Sequence, residues 1–475
     1  MRTELCAAIV VFAIGVPAIA PSIATAQAVT AADPPGAQSS AQDAAAAEPV
    51  MRQMGLLAAI NVPTTQSQKQ GREVNVEELL QLALARNVDL LSVRQEIAAA
   101  RGLLTQTRLR PNPGLDFTIG TGRPLGSPGE NEIEIGYAHT FELGGKRDRR
   151  IDVGRVGVEI AELQVADRER LLRADVKVRY AEALAAGRNL EMLGEVSELT
   201  ERTYRVAQRR VAEGEAAPLE RALLQVEAGR LTADRLLAAS AGARAVAGLK
   251  LAVGLDLTEL LTLRGELREP SVALSMDEAI AKALSERPDL KAARAEEERA
   301  NAEFRLARAE RVPDVIGVAR YGRVESQFPQ FGTTSTGQLV PLRDTDHVLT
   351  LGVSIPLPFA NRNQGNIETS TARRQAASLR RQFLEQSVRT EVIAAYTQYV
   401  AASQAIEAFG QDVVKQSQET IAIIRTSYDL GEVQLLDLLQ EQRRLLETQK
   451  AYTEILKEHY VARAALEAAL SAELR

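Results

Sequence analysis

Three histidines, His139, His347 and His459, and one cysteine, Cys6, are the chain's whole stock of imidazoles and thiols. The histidines have no ligand-pair spacing, and Cys6 lies in the apolar N-terminal run CAAIVVFAIGVPAIA, so neither a metal centre nor a thiol nucleophile assembles from them. The step Gly144-Gly145-Lys146-Arg147 lacks the G-x-x-x-x-G-K-[ST] spacing of a phosphate loop. Two carboxylates stand out instead. Glu220 and Asp437 each follow a glycine-bearing reversal, EGEAAP (213–218) and DLGEVQ (429–434). In the first turn of a returning helix a carboxylate is favoured by the positive helix end. The same carboxylates, gathered around a constriction, would draw in cations. No nucleophile, base and metal set converges anywhere, so an enzyme is not expected, and no cofactor is implied.

The elements that must position these residues are written twice. VEELLQLALARNVDLLSVR begins at Val76 and MDEAIAKALSERPDLKAAR at Met276, matching Ala83 with Ala283, Asp89-Leu90 with Asp289-Leu290 and Pro113 with Pro313. Farther on Val176 matches Val392, Tyr180 matches Tyr396, Gly194 matches Gly410, and Gly214-Glu215 matches Gly431-Glu432. The repeats are 73–274 and 275–475. Each reads as short helix, helix, strand pair, very long helix, reversal, long helix. Val392, Tyr396, Tyr399, Ser403, Ile406 and Val413 mark a coiled-coil seam. Long helices are predicted over 146–213, 218–253, 362–430 and 435–473, the first and third roughly 100 Å long at 1.5 Å per residue.

Aromatic residues make up 4% of the chain, tryptophan is absent and charged residues are 25%, a composition for long helices with narrow seams rather than a large globular core. A net charge of −6 argues against a nucleic-acid partner. Arg2, the apolar run and Ala24-Thr25-Ala26 read as a cleavable signal peptide over 1–26, with Cys6 too far from the cleavage point to take a lipid. Residues 27–72 read as a flexible Ala/Gln/Pro-rich lead-in.

Four strands are predicted, at 115–122, 132–141, 314–323 and 347–355. Each is near the ~9–11 residues that cross a bilayer when tilted. Four strands cannot close a barrel, and an open edge in lipid leaves backbone groups unsatisfied. Several copies must therefore share one barrel: two give about eight strands, three about twelve, and the larger leaves a passage.

With these features the chain resembles the TolC-like outer-membrane efflux proteins over 73–475. The resemblance implies a mainly α fold with a transmembrane β part: a homotrimer whose twelve-stranded barrel continues into a periplasmic α-helical tunnel. It also implies a passive duct in the outer membrane, surrounded by its lipid, served by a periplasmic adaptor and an inner-membrane RND pump. RPNPGL (110–115), FELGGKR (141–147) and PLPFANRNQGNI (356–367) are similar to the corners of the cobalt–zinc–cadmium branch. There Gly144 and Gly145, and Pro356, Pro358, Asn361 and Arg362 opposite, form the barrel-to-tunnel corners, with Lys146 and Arg147 beside the lipid headgroups. The family's acidic entrance places Asp437 first, but the next acidic position is Gln440 here; Glu220 is its first-repeat counterpart. Adaptor docking is implied around Gly214-Glu215 and Gly431-Glu432. Drug or solvent efflux, type I secretion, and a soluble periplasmic adaptor or spacer are the competing readings.

Overall fold

The computed structural model describes residues 72–121, 131–268 and 274–474. The expected signal peptide and nearly all of the lead-in lie outside the described residues. Strand β1 (Arg72–Val74) leads into helices α1 (Val76–Arg86) and α2 (Val88–Arg108), then strands β2 (Gly114–Thr121) and β3 (Asn131–Phe141). Helix α3 (Lys146–Ala212) runs to a reversal and α4 (Pro218–Val253) returns. After β4 (Leu261–Leu263) the order recurs as α5 (Met276–Glu286), α6 (Pro288–Ala309), β5 (Val315–Thr333), β6 (Leu339–Ser354), α7 (Gln364–Asp429) and α8 (Leu435–Leu470).

Local chemistry sets the boundaries. The Asn75 side chain accepts from the Glu78 N–H at 2.8 Å to start α1, and Asn87 ends α1 while accepting from Leu90 N–H at 2.8 Å to start α2. Ser275 and Glu278 form a capping box on α5. Pro218 and Pro288 occupy first-turn positions, where the missing N–H costs nothing. The duplication reaches single bonds. Tyr180 donates to the Arg264 carbonyl at 2.7 Å, and its repeat partner Tyr396 donates to the Leu274 carbonyl at 2.9 Å. Around Tyr180 lie Val176, Leu249 and Val253; around Tyr396 lie Val388, Val392 and Leu466.

Several boundaries differ from the sequence reading. β5 and β6 have 19 and 16 residues, against the expected 314–323 and 347–355. Pairing runs on past a bulge between Gln327 and Phe331 to a turn where Gly337 has φ 82°. The segment FPQFGTTSTGQ is thus mostly strand, because its Phe and β-branched residues suit a ladder better than a loop. α7 starts at Gln364 rather than 362, since Asn363 takes φ 60°, and α8 stops at Leu470 rather than 473, since Ser471 takes φ 55°. The long helix α7 is also interrupted: Gly410 has φ 61° and ψ 155°, a conformation open essentially to glycine alone. Val413, expected in the seam, lies beyond this break and is exposed.

Three layers share one plan. The sheet order is β2-β3-β5-β6, antiparallel throughout. Near the sheet the helices pack in the order α2, α3, α6, α7, and toward the reversals α4, α3, α8, α7. Every layer is an open arc, with α7 or β6 on one edge and a first-repeat element on the other.

Candidate functional site: the duct wall and its two ends

The sheet has two chemically distinct faces because side chains alternate along a strand. Register places Phe117, Ile135, Tyr321 and Leu349 side by side on one face, and Leu115, Tyr137, Ala319 and Leu351 next to them. The leucines, phenylalanine, isoleucine and tyrosines of this face are exposed, so it is built to meet lipid. The other face carries Asp116, Thr118, Glu132, Glu134, Arg320, Thr350 and Asp346. Arg320 reaches Glu134 at 3.4 Å. β2 and β6 are each paired on one side only, leaving the edges a larger barrel must close.

At the first corner both glycines take left-handed angles, Gly144 φ 72° and Gly145 φ 70°. A Cβ on Gly144 would come 3.0 Å from the Val312 side chain and 3.2 Å from the Ala309 carbonyl, so that turn needs glycine for space as well as for conformation. Asp314 accepts from Lys146 Nζ at 2.7 Å and from the Leu143 N–H at 3.1 Å. Glu142 takes both terminal nitrogens of Arg150, one at 2.9 Å, and Arg147 donates to the Arg108 carbonyl at 2.8 Å. The Arg150 hydrogen bond holds the Glu142 carboxyl below its usual range against the opposing effect of burial. Lys146 is buried, and this corrects the reading that set it beside lipid headgroups. Lys146 and Arg150 face acids instead, because Asp314 and Glu142 stand where the helix must dock under the sheet, while Arg147 turns to a backbone carbonyl.

The second corner uses other chemistry. Pro356 and Pro358 stiffen the descent, and the Asn363 N–H donates to Asn361 Oδ1 at 3.0 Å. Asn363 itself carries the positive φ and donates from Nδ2 to the Ala307 carbonyl at 2.8 Å and to Glu310 Oε2 at 3.1 Å. The backbone N–H of Arg362 donates to Gln364 Oε1 at 2.8 Å. Asn363 occupies the place of Gly145 at the helix start. Reading the sequence for glycine alone missed it, although asparagine is the side chain most tolerant of that region. Asp314 and Glu142 were missed because nothing local marks a carboxylate as the partner of a lysine on another element.

At the far end both reversals are the same C-cap. Gly214 and Gly431 have φ 79° and 80°. The Glu215 N–H reaches the Arg210 carbonyl and the Glu432 N–H the Ser427 carbonyl, each at 2.8 Å. Ala207 and Leu224 of the first repeat pack with Ile421, Tyr428, Leu435, Leu438 and Leu439 of the second, joining the two hairpins. Glu220 accepts from the Tyr428 hydroxyl at 3.3 Å, and burial together with Glu220 pushes that hydroxyl's pKa up. Asp437 is exposed and accepts from the Gln434 N–H at 3.3 Å, capping its own helix; Gln440 is exposed one turn on. Glu220 is thus tied across the repeats while Asp437 keeps its charge free to solvent.

The histidines lie apart. His139 meets Phe141 edge-on, His347 Nδ1 shares a 2.7 Å hydrogen bond with the Tyr321 hydroxyl, and His459 is buried against Tyr399. Burial, and then the nearby Arg463, hold the His459 pKa below the usual histidine value. Among the described residues no group of three or more His, Cys, Asp or Glu side chains is arranged to hold a metal ion. Among them α4 is also apolar and long enough to cross a membrane by composition. The helix's exposed Leu219, Val226, Leu236 and Leu237 lie on an arc edge, where another copy can cover them.

The outer membrane efflux protein family profile matches residues 79–255 and 279–472, both repeats in turn. The chain belongs to that family. It is 25% identical over 391 residues to the cobalt-zinc-cadmium resistance protein CzcC of Cupriavidus metallidurans, covering 82% of this chain and 88% of the relative. It is 27% identical over 312 residues to the nickel-cobalt-cadmium resistance protein NccC of Alcaligenes xylosoxydans xylosoxydans, covering 64% of this chain and 65% of that protein. Among solved structures, the open-state Neisseria gonorrhoeae MtrE outer membrane channel superposes with a TM-score of 0.67 at 19% identity, over 87% of this chain and 96% of that one. The Campylobacter jejuni CmeC outer membrane channel gives a TM-score of 0.66 at 16% identity, over 83% and 85%. Family and fold are those of channels rather than enzymes, and the chain is an outer-membrane efflux channel. Family channels are trimers within tripartite efflux systems. Three copies of this four-stranded sheet close a twelve-stranded barrel, and three copies of each helical arc close the tunnel beneath it.

Proposed function

We propose that this channel is the exit duct of a tripartite RND-type system that expels heavy-metal cations. The observation that carries the reading is the similarity to the cobalt-zinc-cadmium resistance protein along both repeats. A duct gains from weak contacts with its cargo, since tight binding would slow release. Selectivity then rests with the inner-membrane pump. The adaptor docks around the reversals at Gly214-Glu215 and Gly431-Glu432, and the exposed Asp437 contributes to a cation-attracting entrance. Glu220, held by Tyr428, shapes that entrance more than it charges it. A signal peptide over 1–26 directs export.

Deleting the gene should lower tolerance to zinc, cobalt, cadmium or nickel, and plasmid-borne wild type should restore it. Unchanged tolerance to all of them with the pump intact would overturn the metal assignment. In planar bilayers Asp437→Asn should weaken block by divalent cations; unchanged block would remove Asp437 from the entrance.

A further inference from the structure

The lipid-facing side of the sheet has an upper limit. Its apolar band starts beside the corners, where Phe141 lies opposite Val315, and ends at the row Ile119, Ile133, Arg323 and His347. From Val315 to Arg323 run about nine residues, close to the ~9–11 that cross a bilayer when tilted. That row therefore meets the membrane surface away from the periplasmic corners, at the outer leaflet. Beyond it the same face carries Glu325, Thr345 and Arg343. Charge at this height is sorted by face. Outward stand Arg323 and Arg343 against Glu325, which Arg323 holds at 2.5 Å. Inward, the alternating Glu132, Asp344 and Asp346 are all acidic. Arg343 is exposed and makes no ion pair or side-chain hydrogen bond among the described residues. The His347 ring stacks on Tyr321 with centroids 6.0 Å apart. With the Tyr321 hydroxyl donating to Nδ1, the imidazole keeps its hydrogen on Nε2 as a further donor.

We propose that this outward cap binds the phosphorylated headgroup of an outer-leaflet glycolipid. Arg323 and Arg343 donate to phosphate oxygens, and His347 Nε2 and the Thr345 hydroxyl donate to sugar or phosphate oxygens. The acyl chains lie over the exposed Ile119, Ile133 and Leu349 below. Along β6, Arg343 and His347 stand roughly 13 Å apart at 3.3 Å per residue, so a headgroup of disaccharide size is held at both ends. A lipid fits better than a free anion because the cationic cap is continuous with the apolar band, and one amphiphile meets both. Closing the barrel leaves the site open. Neighbouring copies join β6 to β2 edge to edge through backbone groups, which covers neither face of the sheet. The inference rests on the outer-membrane placement of the channel and not on its cargo, so the metal reading above can fail without it.

The test is native mass spectrometry of the delipidated trimer in mild detergent, in buffer containing EDTA. Three probes are added in turn: bisphosphorylated lipid A, the same lipid with both phosphates removed, and phosphatidylglycerol. Saturable adducts of the first are expected, with the other two bound about tenfold more weakly. Arg343→Gln and Arg323→Gln should each weaken lipid A binding about tenfold, the size of one lost charge-assisted hydrogen bond. His347→Ala should weaken it by a smaller factor. Arg320→Gln, which removes a cation from the inward face of the same strand, should bind as wild type does, and each variant must keep the trimer band. The wild-type comparison of the three lipids tests the proposal even where a variant fails to assemble. Equal binding with and without phosphates, or phosphatidylglycerol bound as tightly as lipid A, would overturn it. So would undiminished binding by the double variant Arg323→Gln/Arg343→Gln, or an equal loss in Arg320→Gln, which would move the lipid off the outward face.

Discussion

Removing the carboxylate charge of Asp314 tests how the barrel is joined to the tunnel. Asp314→Asn keeps shape and volume, so packing is preserved while the ion pair to Lys146 is lost. The Lys146 side chain is 10% exposed and Asp314 is 30% exposed, with Nζ to Oδ1 at 2.7 Å. An exposed pair contributes about 0–1 kcal/mol, while stranding a fully buried charge costs about 3–5 kcal/mol. Discounting for the solvent that reaches Asp314 places the expected loss near 2 kcal/mol per copy. Lys146→Met should cost less, because a neutral side chain needs no partner and Asp314 still accepts from the Leu143 N–H. The double variant should then recover part of the loss, a coupling of about 1–2 kcal/mol. Urea titration of the trimer in detergent, followed by circular dichroism of the helices, reads all four corners of the cycle. Arg202→Ala, which breaks a fully exposed pair with Glu198, should leave the midpoint unchanged. A loss for Asp314→Asn no larger than for that control, or zero coupling, would refute the claim that this pair locks the joint.

Other outcomes follow from the same geometry. At the second corner Asn363→Gly should cost about 1 kcal/mol for the hydrogen bond to Ala307, and Asn363→Ala about 1–2 kcal/mol more for the left-handed backbone, both read by the same titration. The matched glycines should respond oppositely: Gly194→Ala in unbroken helix gains up to about 1 kcal/mol, whereas Gly410→Ala meets a glycine-only conformation at a cost of about 1–3 kcal/mol. If both substitutions stabilised the channel, the break in α7 would be refuted. His459 is buried with its pKa held down, so the unfolded chain takes up a proton first as pH falls. Its stabilising contribution is complete above about pH 6.5, the unfolded value, and is lost as pH drops toward the folded one. His459→Phe should show a smaller decline in urea midpoint between pH 7.5 and 5.5; an identical decline would place the titrating group elsewhere.

Much of the fold was legible because the duplication doubles every signal. Tyr180 and Tyr396, aligned by sequence, make the same kind of hydrogen bond to backbone carbonyls in the two repeats. The paired reversals are legible for the same reason, since a glycine after a long helical pattern favours a left-handed cap in both copies. What escaped was dictated by partners distant in sequence. Lys146 reads as a solvated base until Asp314 is brought under it, and FPQFGTTSTGQ reads as a loop until β6 is seen to pair with it. The break at Gly410 escaped because its repeat partner Gly194 sits in continuous helix. A glycine permits that conformation but does not require it.

By itself, then, the sequence determines the parts: two copies of one unit, four strands with an apolar face, helices far too long for a globular core, and no catalytic set. These follow from periodicity and composition, which act over a few turns of chain. Only the tertiary structure decides which charges meet. It seats Lys146 on Asp314 and ties Glu220 to Tyr428 while leaving Asp437 exposed. Ion pairing depends on distances of a few ångströms between residues far apart in the chain, and no local pattern encodes those distances.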